Sequence, residues 1–303
     1  PWARASAAAA GACAQPVVIR RSLRRAASSA ASASAVASNK LPEWTSLDRR
    51  GQYQQGRAHY GINMGKDFLA YCYIRKNACT AFKNLFLGKS PWRRLVWKKR
   101  NPGIKLLNGF HKLTIHKAQQ ANIKAMVYRD PVARLTSLYR NKFVDEKDCD
   151  EIFANYQMLT GDDPGEATFR SLVNSYAKRV CDGDEIDCHL YTQTSHLMPI
   201  NYNAVICIDN LYSSMSTLLG AEIGNQYFST PANPSRSAAG SQDKNITCLA
   251  DIPARKLRQL LQNKTTNLTS QDLLDDSLSE SIHTIYAEDF ELIKQINLEK
   301  HGH

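Results

Sequence analysis

The sequence predicts an α/β fold with a central parallel sheet. Three observations predict it. The apolar run Asp67 to Ile74 passes into a short basic loop and then into helical periodicity from Thr80 to about Leu87. A second run, "NIKAMVY" at 122–128, turns through Arg129-Asp130 and re-enters as a helix. A third, "NAVICI" at 203–208, lies beyond several helical segments. Strand–loop–helix units in series need crossovers between neighbouring strands, and crossovers make neighbours parallel.

The elements follow in order. Residues 1–40 are rich in Ala, Ser and Arg, with six cations and no acid. That composition suits a targeting or disordered segment outside the fold. Residues 41–65 read as a linker, and the domain spans 66–303. The second helix opens on Asp130 as cap and Pro131 at the first position, where a missing N–H costs nothing. Val132, Leu135, Tyr139 and Phe143 recur at helical spacing and are expected to face the core. The segment "DSLSESIHTIYAEDFELIKQI" reads as one packed terminal helix.

The net charge of +11 is unevenly spread. Between Asp67 and Asp130 stand fourteen Lys or Arg and no acid, whereas the chain from Asp130 onward is net acidic by ten. The basic segment holds both turns and should attract an anion. No CxxC pair occurs, which argues against a zinc site, and no apolar window reaches the roughly eighteen residues of a membrane span. The compartment stays open between the cytoplasm, an organelle and, behind an upstream anchor, the Golgi lumen.

The two turns carry the chemistry. Lys76 ends a strand, and the amides of Asn77, Ala78, Cys79, Thr80 and Ala81 open the helix that follows. Helix N-terminal N–H groups lack internal partners and favour an anion. Ala78 and Cys79 are small enough to admit a phosphate, and Thr80 adds a hydroxyl. Lys76 can balance charge that grows on a leaving oxygen. In the second turn Arg129 ends a strand, and Ser137 lies eight residues later, about 2.2 helical turns on. Arg and a hydroxyl on one side can hold a second phosphate. The "GKS" at Gly88–Ser90 lacks the spacing of a Walker A loop, because Lys83 stands where its first glycine is required.

"IRKNACTAFK" resembles the 5′-phosphosulfate loop of sulfotransferases, and "YRDPVARLTSLYRNKF" resembles their 3′-phosphate motif. "CHLYTQTSHL" is similar to the HxxPQxxL segment of the carbohydrate-acting branch, and "IYAEDFELI" extends the likeness weakly to about residue 295. The chain departs at Arg75 and Thr192, where the family often has proline. The resemblance implies a three-layer, P-loop-NTPase-like sulfotransferase fold. It also implies 3′-phosphoadenosine 5′-phosphosulfate (PAPS) as donor, a hydroxyl acceptor, carried on a carbohydrate by this branch's habit, and no metal. By the same resemblance Lys76 would neutralise the leaving 5′-phosphate and residues 77–81 would cradle it. Arg129 and Ser137 would hold the 3′-phosphate. His111, between the two motifs, would be the general base, with His116 as its rival. His189 and Gln193 would line the acceptor site. Two other readings stand beside this one. A nucleotide-dependent kinase lacks its Walker A here, and a nucleic-acid-binding module would use the basic, aromatic patch at 92–105.

Overall fold

Alternating side chains on the strands set the layers. The structure is a computed structural model that describes residues 58–99, 101–230, 248–263 and 268–301. The targeting-like segment 1–40 and the first part of the expected linker lie outside the described residues. The sheet has the order β1 (His59–Met64), β2 (Asp67–Cys72), β3 (Ile123–Tyr128) and β4 (Ala204–Cys207). The pairs β2–β3 and β3–β4 are parallel, with Tyr71 opposite Ala125 and Val127 opposite Ile206. β1 runs antiparallel to β2, with Tyr60 opposite Tyr71.

Leu69, Tyr71, Ala125, Val127 and Ile206 point to one face. There they pack against Phe82, Leu85 and Phe86 of α1 (Cys79–Lys89). Cys72, Met126, Tyr128 and Val205 point to the other face and meet Leu292 and Ile296. Helices on both faces make three layers, the arrangement expected of a largely parallel sheet. A second core gathers around α2 (Pro131–Tyr139), where Leu135, Tyr139 and Phe143 are buried and Val132 is partly buried, as the spacing predicts. Asp130 caps α2 by accepting from the Ala133 amide at 2.8 Å. Phe143 belongs to a wider π-helical turn, Arg140–Val144, that continues α2.

Two expectations need correction. The sheet starts earlier than the sequence suggests, because β1 lies inside the stretch read as a linker. A two-residue connection with Gly65 at φ +78° joins it to β2, and hairpin turns of this length need positive φ. The single terminal helix is two helices, α6 (Asp276–Ile285) and α7 (Ala287–His301), which follow α3 (Asp150–Thr160), α4 (Leu211–Leu219) and α5 (Ala254–Gln262). Tyr286 leaves helical geometry between them and donates its hydroxyl to the Leu190 carbonyl at 2.9 Å. That break lets α7 swing its first turn toward the sheet, which matters for the site below.

Candidate active site

Both basic turns fall at the carboxyl ends of neighbouring parallel strands, where such sheets open a crevice. Lys76 follows β2, and Arg129 follows β3 directly. A cavity of roughly 450 Å³ there is lined by Lys76, Ala78, Cys79, Thr80, Ala81, Arg129 and Ser137, among others. Six cations reach it, namely Arg75, Lys76, Lys83, Arg129, Lys142 and Lys147, against the acids Asp148 and Asp209. A cavity with that balance is built for a polyanion.

The first turn is held in an unusual backbone shape. Lys76 has φ +69° and Ala78 φ +59°, a region that side chains other than glycine rarely adopt. Asn77 between them is not left-handed. Alternating handedness curls successive N–H groups toward one centre, which makes an anion-binding nest. The Asn77 amide bonds the Ile74 carbonyl at 3.2 Å, and the Ala81 amide bonds the Ala78 carbonyl at 3.0 Å. The amides of Ala78, Cys79 and Thr80 find no acceptor among the described residues. The five-amide cradle read from the sequence is therefore three amides wide, because its two ends are spent on closing the turn.

Burial lowers the Lys76 ammonium to about 8, with the nearby cations Lys142 and Arg129 adding to the effect. A bound phosphate would restore the charge. Above pH 8 the free lysine is neutral, so anion binding must there take up a proton. Affinity for adenosine 3′,5′-bisphosphate is expected to be flat below pH 8 and to fall, by no more than about tenfold in all, as Lys76 loses its proton above it. Calorimetric titration from pH 6.5 to 9.5 checks this, and Lys76→Arg should remove the dependence.

The second turn is tied to the first. The Arg129 guanidinium donates to the Lys76 carbonyl at 3.2 Å and so braces the left-handed loop. Ser137 stands two turns into α2 and lines the same cavity, so the structure brings Lys76, Thr80, Arg129 and Ser137 together. Lys142, which sequence reasoning did not single out, also lines it. Its Nζ donates to the carbonyls of Lys147 and Asp148 at 2.9 and 2.7 Å, and it lies inside the quoted "YRNKF".

Gln193 is fully buried and does not line the cavity, contrary to the expectation that it would meet an acceptor. It joins the two turns instead. Its Oε1 accepts from Asn77 Nδ2 at 2.6 Å and from the Arg129 amide at 2.9 Å. Its Nε2 donates to the Arg129 carbonyl at 2.9 Å. Its own amide donates to Asp289 of α7 at 2.9 Å, and the Thr194 amide donates to the same carboxylate at 3.1 Å. Burial pushes the Asp289 carboxyl up, and Arg134 opposes that shift. Arg134, itself buried, donates to the carbonyls of Arg75 and His189 at 3.2 and 3.1 Å. Three segments distant in sequence, around Arg134, Gln193 and Asp289, thus fix the two loops.

His111 is not brought to the cavity. It is buried, with Nδ1 at 2.8 Å from the Gly61 carbonyl and Nε2 at 2.8 Å from Ser90 Oγ. Its ring meets Phe86, seven residues and about 10 Å along α1 from the first basic turn. With both nitrogens engaged it has no lone pair to offer a substrate. His116 is exposed and bonds Gln120. His189 does line the cavity. Asp187, Cys188 and His189 are one group with possible metal-ligand atoms within 4.8 Å. Burial raises the Cys188 thiol to about 11.

The sequence profile of the sulfotransferase family matches residues 62–294. The chain belongs to the sulfotransferase family. No curated protein and no solved structure gives a match. The matched span covers β2, β3, β4 and the second half of β1, with both basic turns, Gln193 and Asp289, so this sulfotransferase carries the cavity's two basic turns within the family's own domain. It is a transferase by family, with a central four-stranded, mostly parallel sheet between helices. Among the described residues no helix is long and apolar enough to cross a membrane.

Proposed function

We propose that this sulfotransferase moves a sulfuryl group from PAPS to a carbohydrate hydroxyl. The observation that supports the reading is one cavity lined by both basic turns, which on this reading are two anion grips. Three open amides and Lys76 form the first, and Arg129 with Ser137 forms the second. A donor with a 5′-phosphosulfate and a 3′-phosphate needs two such grips. On this reading Lys76 meets the charge that builds on the bridging oxygen as the S–O bond breaks, so it lowers the barrier rather than merely holding the donor. A carbohydrate acceptor is favoured by the exposed aromatics of the basic segment. Trp92 and Phe110 stack at 5.7 Å, half-exposed, and offer an apolar platform of the kind on which sugar rings lie.

Radiolabelled PAPS incubated with the chain and a panel of unsulfated polysaccharides tests the reading. Label is expected in the polysaccharide, with release of adenosine 3′,5′-bisphosphate. Transfer of phosphate from ATP, or capture of RNA with no bisphosphate binding, would replace it with the kinase or nucleic-acid reading.

Arg129→Ala is expected to weaken donor binding more than turnover, because it grips a phosphate that does not react. A charge-assisted contact of this kind contributes roughly 1.5–3 kcal/mol, or about ten- to a hundredfold in Kd. Adenosine 5′-phosphosulfate, which lacks the 3′-phosphate, should lose much less affinity on the same substitution. Equal losses for the two donors would mean that Arg129 does not read the 3′-phosphate.

A further inference from the structure

With His111 locked in the core, the proposed reaction lacks a group to take the acceptor's proton. Among the described residues only one histidine lines the cavity, and that is His189. It is held like a working base. Its Nδ1 lies 2.6 Å from Asp187 Oδ1, and its backbone amide donates to the same oxygen at 2.8 Å. Asp187 is fixed in turn, since its amide donates to Asn155 Oδ1 at 2.9 Å. Arg134 holds the His189 carbonyl from the other side. The Asp187 side chain is 8% exposed and the His189 side chain 20%, so the carboxylate is the covered partner and the imidazole the open one. Nε2 has no partner among the described residues.

We infer that His189, oriented by Asp187, is the general base of this enzyme. The inference rests on the sulfotransferase reading above. Asp187 accepts the Nδ1 proton and so fixes the tautomer that leaves the Nε2 lone pair free. In the transfer step the acceptor hydroxyl gives its proton to Nε2 while its oxygen bonds to sulfur. The bond from sulfur to the bridging phosphate oxygen breaks, and its electron pair leaves on that oxygen, beside Lys76. The imidazolium then returns the proton to water. The charged groups that face the ring are Asp187, which favours the imidazolium, and Arg75 and Lys142, which oppose it. Burial is the larger influence and holds His189 down to about 4, so the ring is neutral and ready to accept at pH 7.

The test uses the full chain with radiolabelled PAPS. Desulfated chondroitin and heparosan serve as acceptors, and slow donor hydrolysis makes water an acceptor in every tube. His189→Ala is expected to lower kcat by about 10²–10⁴-fold. The Kd for adenosine 3′,5′-bisphosphate should stay within about threefold, because no donor contact is removed. Added imidazole should recover part of the rate, and the acid limb of kcat, expected well below the ordinary histidine range in the wild type, should vanish. Asp187→Asn should lower kcat without abolishing it, by misdirecting the tautomer. His189→Ala with wild-type kcat would overturn the assignment, as would a loss of rate matched by an equal loss of bisphosphate binding. So would loss of the acid limb in His111→Gln with His189→Ala unaffected. A wild-type chain that binds no bisphosphate and consumes no PAPS would overturn the sulfotransferase reading itself.

Discussion

Lys76→Ala is expected to reduce kcat by about 10²–10³-fold while donor Kd changes by less than about tenfold. The magnitude is that of one preorganised charge contact made chiefly in the transition state. The three open amides at Ala78 to Thr80 remain in the variant, so ground-state grip survives. Lys76→Gly separates charge from backbone. Glycine adopts φ +69° without the cost that lysine bears, so this variant should be as inactive as the alanine one yet slightly more stable than it. Single-turnover rates with saturating PAPS and thermal unfolding of both variants check the pair. An active glycine variant would show that the loop's shape, not its charge, does the work.

Gln193→Leu is expected to be the costliest change outside the cavity. Leucine fills a similar volume but leaves the Arg129 amide, the Arg129 carbonyl and Asn77 Nδ2 short of a partner. Asn77 Nδ2 keeps its second bond, to the Val127 carbonyl at 2.8 Å. Buried groups left unsatisfied cost about 1–3 kcal/mol each, so the total loss of stability should be about 2–5 kcal/mol. The effect on function has a different cause. Freed from Gln193, the two turns can move independently, and donor affinity and kcat should fall together. Urea unfolding followed by bisphosphate titration of the folded variant reads both consequences. A variant that is destabilised yet binds and turns over normally would reduce Gln193 to a packing role.

The parts legible in the sequence were the local ones. Periodicity placed β2, α1, β3 and α2, because each buries a regular set of side chains. It placed Lys76 and Arg129 at strand ends, and an eight-residue offset put Ser137 on the cavity side of α2. What links those parts was not legible. Gln193 meets Asn77 across 116 residues and Asp289 across 96, and no local pattern marks a buried amide as a tether. β1 is six residues long with a glycine inside it, so its alternation of Tyr60, Ile62 and Met64 is a faint signal. His111 misled because sequence gives its place between the motifs but not its burial against Gly61 and Ser90. His189 did carry a signal, an acid two residues earlier, but only the fold shows that Asp187 turns back to hold the ring.

The central claim is that one cavity grips two phosphates of one nucleotide. Calorimetric titration with adenosine 3′,5′-bisphosphate and with adenosine 5′-monophosphate at pH 7 tests it most directly. The bisphosphate is expected to bind at least about tenfold tighter, the worth of one charge-assisted phosphate contact, and Arg129→Ala is expected to erase the difference. Equal affinities for the two nucleotides, or a preference that persists in Arg129→Ala, would contradict it.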